Sequence, residues 1–319
     1  MAHAAIAVRE DGLEVLDTSL ATRLHQKASV GQPLPGNTLR LSLVEAAWLC
    51  AQGRIEVPGG AAGLLARGAR QGGRTEVAFL AYSDLRARGL VARHARQGFW
   101  VWPRGEGPPR PHAYTAHVAA EGDGVDGAAL VAAARSGAIL AVVDGDGAVT
   151  HYKVEKEAPR GSRPPVPLPK AVGLLLADRV LVEDSAAAAA YAEREFLGTL
   201  SPAGLVLSLA EARSLQERGV LSVPGLEARA VEGLPAYRAL REAGVVVKSG
   251  FRFGTHLRGY AGDPEEGHAV WLVHCLPEGE TLHWSALSRA IRLAHGVRKR
   301  FLVAAGEPPE FVALSWFKP

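Results

Sequence analysis

The side chains best suited to chemistry in this sequence crowd into one C-terminal block, VVVKSGFRFGTHLRGYAGDPEEGHAVWLV followed by AIRLAHGVRKRFLVA. Within it Tyr260, His268 and Lys299 offer a group that can take a proton, one that can give a proton near neutral pH, and a fixed cation. Such a set can act on a phosphodiester without help from a metal. The carboxylates of the block, Asp263, Glu265 and Glu266, are confined to one turn, and no acidic pair on adjoining strands suggests a site for a divalent ion. Cys50 and Cys275 are the only cysteines and fall at unrelated positions, so neither a disulfide framework nor a cysteine metal site is expected.

What must position this block is a chain written twice. LRLSLVEAAWLCAQGRIEVPG (Leu39 to Gly59) reads without gaps against LVLSLAEARSLQERGVLSVPG (Leu205 to Gly225), and AYSDLRARGLV (Ala81 to Val91) against AYRALREAGVV (Ala236 to Val246). Upstream, the LEVLD ending at Asp17 matches the VLVED ending at Asp184. A period of roughly 150 residues is the size of a domain rather than of a solenoid unit. The expected organisation is a first repeat over residues 1–158, a linker over 159–169 with five prolines, and a second repeat over 170–319. The second repeat divides into a small lobe, 170–235, and a larger lobe, 236–319.

Local signals give each repeat its elements. Short alternating strands lead to an S-L-x-E-A segment, in which Ser42 or Ser208 caps a helix and Glu45 or Glu211 completes a capping box three residues on. Gly53 or Gly219 then ends that helix with a left-handed cap. A strand pair, V-P-G punctuation and a second helix (Ala81 to Arg88; Ala236 to Ala243) follow. In the second repeat, Val245 to Phe253 and His268 to Leu276 read as strands, Trp284 to Arg298 as an amphipathic helix with Arg292 and His295 on its polar face, and Phe301 to Ala304 and Phe311 to Trp316 as closing strands. The fold class is α/β (α+β): a tandem duplication of a two-lobed unit with mixed sheets flanked by helices.

Composition sets loose bounds. The chain has 319 residues, 48% of them apolar and 22% charged, with a formal charge of +3, as expected of a globular protein of two repeats. No apolar run is long enough to span a bilayer and the N-terminus has no signal-peptide pattern, so a cytoplasmic location is expected. Arginine far outnumbers lysine, which suits phosphate recognition but also follows from GC-rich codons.

The block resembles the catalytic domain of the archaeal tRNA-splicing endonucleases. The resemblance rests on L-R-x-x-G-x-V-V-K-x-G-F-x-F-G at Leu240 to Gly254, Tyr260 and His268 about a G-D-P loop, R-x-A-x-x-V-R-K at Arg292 to Lys299, and S-W-F-K-P at Ser315 to Pro319. It implies a tRNA-intron endonuclease of the fused, homodimeric type, cutting precursor tRNA at a bulge-helix-bulge motif with no metal or other cofactor and no membrane. The resemblance implies a catalytic triad of Tyr260, His268 and Lys299. Tyr260 would deprotonate or orient the RNA 2′-hydroxyl, His268 would protonate the departing 5′-oxygen, and Lys299 would stabilise the charge growing on phosphorus. A tyrosine's ordinary pKa of about 10 disfavours the first role unless a cation is close by. The products would be a 2′,3′-cyclic phosphate and a 5′-hydroxyl. Arg292 and Trp316 match the positions that sandwich an extruded bulge base.

The first repeat departs from this pattern. Trp102 to Arg104 occupy the tyrosine's place, the segment VAAARSG at Val131 to Gly137 has no lysine, and His112 alone aligns with His268. A structural role is expected of it. The resemblance also implies that an acidic loop of the non-catalytic unit docks on the catalytic unit of a partner chain, and Asp144 and Asp146 of VDGDGAV are the residues placed for that. The alternatives are a non-catalytic RNA-binding subunit of a splicing complex, disfavoured by the intact Tyr260, His268 and Lys299, and a metal-dependent DNA nuclease, disfavoured because the carboxylates of the block lie only in one turn, with no acidic pair on adjoining strands.

Overall fold

The structure is a computed structural model and describes residues 6–95 and 98–319. In the first half, strands β1 (Ile6–Arg9) and β2 (Gly12–Val15), helix α1 (Thr18–Ala28), strands β3 (Gln32–Leu34) and β4 (Thr38–Ser42), and helix α2 (Leu43–Ala51) form a small lobe. Helices α3 (Gly60–Arg70) and α4 (Thr75–Ala87) lead to β5 (Val91–Ala95), β6 (Gly98–Trp102), β7 (Tyr114–Ala120), β8 (Gly124–Asp126), α5 (Gly127–Ser136), β9 (Ile139–Val143) and β10 (Val149–Glu157).

The second half repeats the order, with two added short strands that pair with each other and a 3-10 turn over Leu226–Ala228 where the first half has α3. Its small lobe holds β11 (Ala171–Val172), β12 (Leu174–Leu175), β13 (Arg179–Val182), α6 (Ser185–Glu195), β14 (Thr199–Ser201), β15 (Gly204–Ser208), α7 (Leu209–Glu217) and β16 (Leu221–Ser222). Its large lobe holds α8 (Leu234–Glu242), β17 (Val246–Ser249), β18 (Leu257–Tyr260), β19 (Trp271–Leu276), β20 (Thr281–His283), α9 (Trp284–Gly296), β21 (Arg300–Ala305) and β22 (Glu310–Phe317).

The small lobes form for the same local reasons. Ser42 accepts from the Glu45 N–H while the Glu45 carboxylate accepts from the Ser42 N–H, and Ser208 and Glu211 do the same. Each reciprocal pair satisfies two helix-end donors and stabilises the helix start by about 0.5–2 kcal/mol. Gly53 and Gly219 take φ of 64° and 71° after the helices, the left-handed conformation that spares glycine a Cβ clash. The same two glutamates reach further, to the N–H of Gly31 and of Gly198, and so pin the loop that precedes each β-hairpin.

The large lobes join in one sheet of ten strands, ordered β17-β18-β19-β21-β22-β10-β9-β7-β6-β5. At its centre β22 and β10 run antiparallel, with Val154 opposite Leu314 and Tyr152 opposite Trp316, so the two copies meet edge to edge about a local pseudo-twofold axis. That pairing leaves no open edge at the join. The apolar faces of α5 and α9 pack on the sheet across the join, where Leu130, Leu140, Tyr152, Leu272, Leu287, Ile291 and Phe301 form one core. Strands β8 and β20 pair with each other beside it.

Several elements differ from the sequence reading. The stretch read as one strand over Val245 to Phe253 breaks at Ser249, because Gly250 opens a 3-10 turn over Phe251–Phe253, and a further strand, β18, follows. The strand expected from His268 starts at Trp271, and the helix expected to Arg298 ends at Gly296. The helix read from Ala81 starts at Thr75, α3 was not expected, and the strand pair expected after α2 is absent from the described residues of the first copy. The proline-rich stretch is not free: the N–H groups of Gly161, Ser162 and Arg163 donate to Ala243, Ala261 and Gly244 of the second large lobe. No helix among the described residues is long and apolar enough to cross a membrane.

Candidate active site

Three adjacent strands bring the ends of distant segments together. Tyr260 is the last residue of β18, His268 precedes β19, and Lys299 directly precedes β21. Strand β18 runs against β19, and β19 runs with β21, so the end of the first and the starts of the other two lie on one rim of the sheet. The ladder is explicit: the N–H of Val270 donates to Gly259 at 2.8 Å, and the N–H of Arg300 donates to Val270 at 2.8 Å. Each of the three candidate residues is thus one or two residues from a link of a single hydrogen-bonded row.

The local chemistry of each position follows. Arg298 takes a left-handed φ of 55° after α9, and the Lys299 N–H caps the helix by donating to Ala294. The Lys299 ammonium then lies 5.5 Å from the centre of the Phe253 ring, which holds a cation without neutralising it. The Tyr260 ring has the Arg258 guanidinium carbon 5.7 Å from its centre. Because Arg258 stands opposite Lys248 on β17, this edge of the sheet carries two neighbouring cations. His268 is exposed at the end of the turn that begins at Asp263, where the Asp263 carboxylate accepts from the Glu265 N–H. Exposure leaves its imidazole free to meet a ligand.

Lys299 opens on a cleft of about 390 Å³ whose walls include His295, Arg298, Arg300, Ser315 and Trp316. Trp316 is 60% exposed, which sets aside a core role for it, and its indole meets the His295 ring edge to face at 6.3 Å. Arg292 is exposed on α9, three residues before His295 and so on the same face, although it does not line the cleft itself. Sequence reasoning gave no role to Arg258, Arg298 or Arg300; the signal available was the density of arginine in the two motifs. Arg300 is tied to Glu157 at 2.6 Å, and Glu157 also accepts from the Trp271 indole.

The equivalent rim of the first copy is differently furnished. Trp102 pairs with Val91 as Tyr260 pairs with Val246, so an indole stands in the place of the phenol. Gly137 takes the left-handed turn of Arg298, and the N–H of Ala138 donates five residues back as that of Lys299 does, so alanine stands in the place of lysine. His112 precedes Tyr114, which pairs with Val101, by two residues; His268 precedes Trp271, which pairs with Gly259, by three. The imidazole of His112 stacks on Trp100 at 5.7 Å.

Asp144 and Asp146 lie in the exposed turn between β9 and β10. The Asp144 carboxylate accepts from the N–H groups of Asp146 and Ala148 and so builds the turn, while Asp146 projects without a described partner.

Fold and rim together define a duplicated α/β protein with one cationic, tyrosine- and histidine-bearing corner on its second copy. Comparison with known proteins agrees. The tRNA intron endonuclease catalytic C-terminal domain matches residues 232–310, and the N-terminal domain of the same family matches twice, at residues 8–64 and 171–232. A tRNA-splicing endonuclease of Natronomonas pharaonis is 38% identical over 97% of this chain and 98% of its own length. One from Methanosarcina mazei is 34% identical over 92% and 94%, and one from Haloferax volcanii 33% identical over 92% and 93%. The chain belongs to the tRNA intron endonuclease family.

Proposed function

We propose that the chain is a tRNA-splicing endonuclease that cuts precursor tRNA at intron boundaries within a bulge-helix-bulge motif, using Tyr260, His268 and Lys299. The observation that carries the proposal is the hydrogen-bonded row from Gly259 through Val270 to Arg300, which fixes the backbone beside all three residues on one rim of the sheet. In the reaction Tyr260 deprotonates or orients the 2′-hydroxyl, whose oxygen loses its proton as it forms a bond to the adjacent phosphorus. The bond from phosphorus to the 5′-oxygen breaks, and His268 delivers a proton to that oxygen. Lys299 faces the charge on the pentacoordinate phosphate, in a cleft already lined by Arg298 and Arg300. The balance gives a 2′,3′-cyclic phosphate and a 5′-hydroxyl, with no step that calls for a metal.

Trp316 and Arg292 hold a splayed bulge base, a role supported by the exposure of both beside the Lys299 cleft. The first copy serves as structure and the Asp144 to Asp146 turn docks on the second copy of a partner chain, so a homodimer presents two active sites for two cuts. Recognition is by RNA shape.

One experiment tests the core of this reading: a bulge-helix-bulge transcript is incubated with the protein in excess EDTA and the product ends are mapped. Cleavage with cyclic phosphate ends is expected; abolition by the chelator overturns the metal-free course. A chain that binds the transcript without cutting it is a non-catalytic subunit. Solution mass tests the dimer.

A further inference from the structure

Each copy has a cleft between its small and large lobes, and the two clefts have the same walls in different residues. In the second copy the cleft is lined by Thr199, Val206, Lys248 and Arg258; in the first the matching positions are Gln32, Arg40, Arg93 and Trp100. The strand registers establish the match. Val206 pairs with Thr199 and Leu181 as Arg40 pairs with Gln32 and Glu14, and Lys248 faces Arg258 as Arg93 faces Trp100. Where the second copy has an aliphatic side chain and a guanidinium, the first has a guanidinium and an indole.

The first-copy cleft has the ingredients of a nucleotide site. Its volume is about 520 Å³, within the range of small-ligand sites. Trp100 is 44% exposed, an unusual state for an indole on a strand, and the stacked His112 that supports it does not line the cleft. Arg93 lies directly across the strand pair from Trp100 and, among the described residues, its hydrogen-bond contacts are long, 3.4 Å to the Ser29 carbonyl and 3.4 Å to His25. Arg40 is exposed and meets Asp11 at the surface, in an ion pair a phosphate can replace at small cost. The second acid in the wall, Glu45, is already occupied by the N–H groups of Gly31 and Ser42 and by the Ser42 hydroxyl. An exposed indole flanked by two guanidiniums and the Gln32 amide suits a base stacked on a ring with its phosphate on arginine.

We infer that the first copy, which lacks the tyrosine and lysine of the second, holds a single-stranded nucleotide of the substrate RNA in this cleft, with the base on Trp100 and the phosphate at Arg40 and Arg93. The inference rests on the proposed action on RNA. It makes the first copy a substrate-binding unit as well as a structural one, and it places an RNA contact far in sequence from the catalytic block.

The test uses the full chain and a precursor-tRNA transcript made uncleavable by 2′-deoxy substitution at both scissile positions. Trp100→Ala is expected to lower affinity by about 5- to 150-fold, the range of one stacking contact, and Trp100→Phe to recover most of it. Single-turnover cleavage of the ordinary transcript at saturating protein should keep its wild-type rate in both variants. Arg40→Gln should weaken binding and make log affinity fall less steeply with log salt, by about 0.7 in slope for one lost phosphate contact on a single strand. Wild-type affinity in folded Trp100→Ala, or in Arg40→Gln should the first variant fail to fold, overturns the inference. Failure of the wild-type chain to bind or cut any transcript overturns the parent reading instead.

Discussion

The backbone N–H and the hydroxyl of Ser162 both donate to the carbonyl of Ala261, at 2.8 and 3.2 Å. Ala261 directly follows Tyr260, so the connection between the two copies is tied to the loop that leaves the candidate base. Arg163 adds an ion pair to Asp263 at 3.2 Å within the same loop, and its guanidinium also lies over Phe196. Arg163→Ala is therefore expected to lower the single-turnover cleavage rate about fivefold, the scale of one lost hydrogen bond of about 1 kcal/mol, with little change in RNA affinity. Equal losses in both would place Arg163 in RNA binding instead.

His268→Ala should retain binding of the uncleavable transcript while cleavage falls by at least about a hundredfold, the lower range for removing a general acid. His112→Ala, at the corresponding place in the first copy, should cut at the wild-type rate under saturating conditions. Near-normal cleavage by the His268 variant removes that residue from the site, and gel-based rates decide.

Trp316→Ala and Arg292→Ala should each weaken productive binding of a bulged substrate by about 1–3 kcal/mol. The same variants should bind a fully paired duplex as the wild type does. If both substrates are affected alike, the contact is with the backbone and not with a splayed base.

Glu195 is 1% exposed and accepts from Arg218, from Arg241 and from the N–H of Val166, which joins the second small lobe, the large lobe and the linker. Burial by itself raises the carboxyl pKa, but the Arg218, Val166 and Arg241 donors outweigh it and hold it below the usual range. Removing it leaves two guanidiniums unpaired, one of them buried. Glu195→Ala is expected to cost about 3–5 kcal/mol in urea unfolding; a loss under 1 kcal/mol would show the network to be incidental.

Burial and the neighbouring His256 push the His274 pKa down to about 4, with Glu232 opposing. The folded chain then declines a proton that the unfolded chain accepts. Stability from this group is unimpaired above pH 6.5 and declines as pH falls from there toward 4. In His274→Phe the fall of the melting temperature across that window should be shallower than in the wild type; an unchanged slope assigns the acid sensitivity to other groups, such as the buried His151.

The legible parts of this protein were those fixed by short-range chemistry. The capping boxes at Ser42 and Ser208 and the left-handed Gly53 and Gly219 occur where the spacing put them, because three or four residues suffice to satisfy a helix end. Helix α9 and strands β21 and β22 were readable from apolar periods. The break at Gly250 and the short strand β18 were not, since Val245 to Phe253 reads as one strand with apolar residues at both ends, whereas Gly250 turns the chain back on itself. Helix α3 is hard to read from the sequence because Gly60, Gly63 and Gly68 interrupt its helix-favouring alanine, leucine and arginine residues, and packing on α2 holds it.

The sequence by itself determined that a unit occurs twice, which residues cap its helices, and that one copy alone has the tyrosine, histidine and lysine. Only the tertiary structure decided that β10 and β22 fuse the copies into one sheet, that residues 161–163 brace the loop after Tyr260, and that Trp100 and its strand partner Arg93 line one cleft with Arg40. Periodicity and capping act over a few residues and are written in the local order. Edge pairing and lobe packing join residues a hundred or more positions apart, and only the folded chain makes them neighbours.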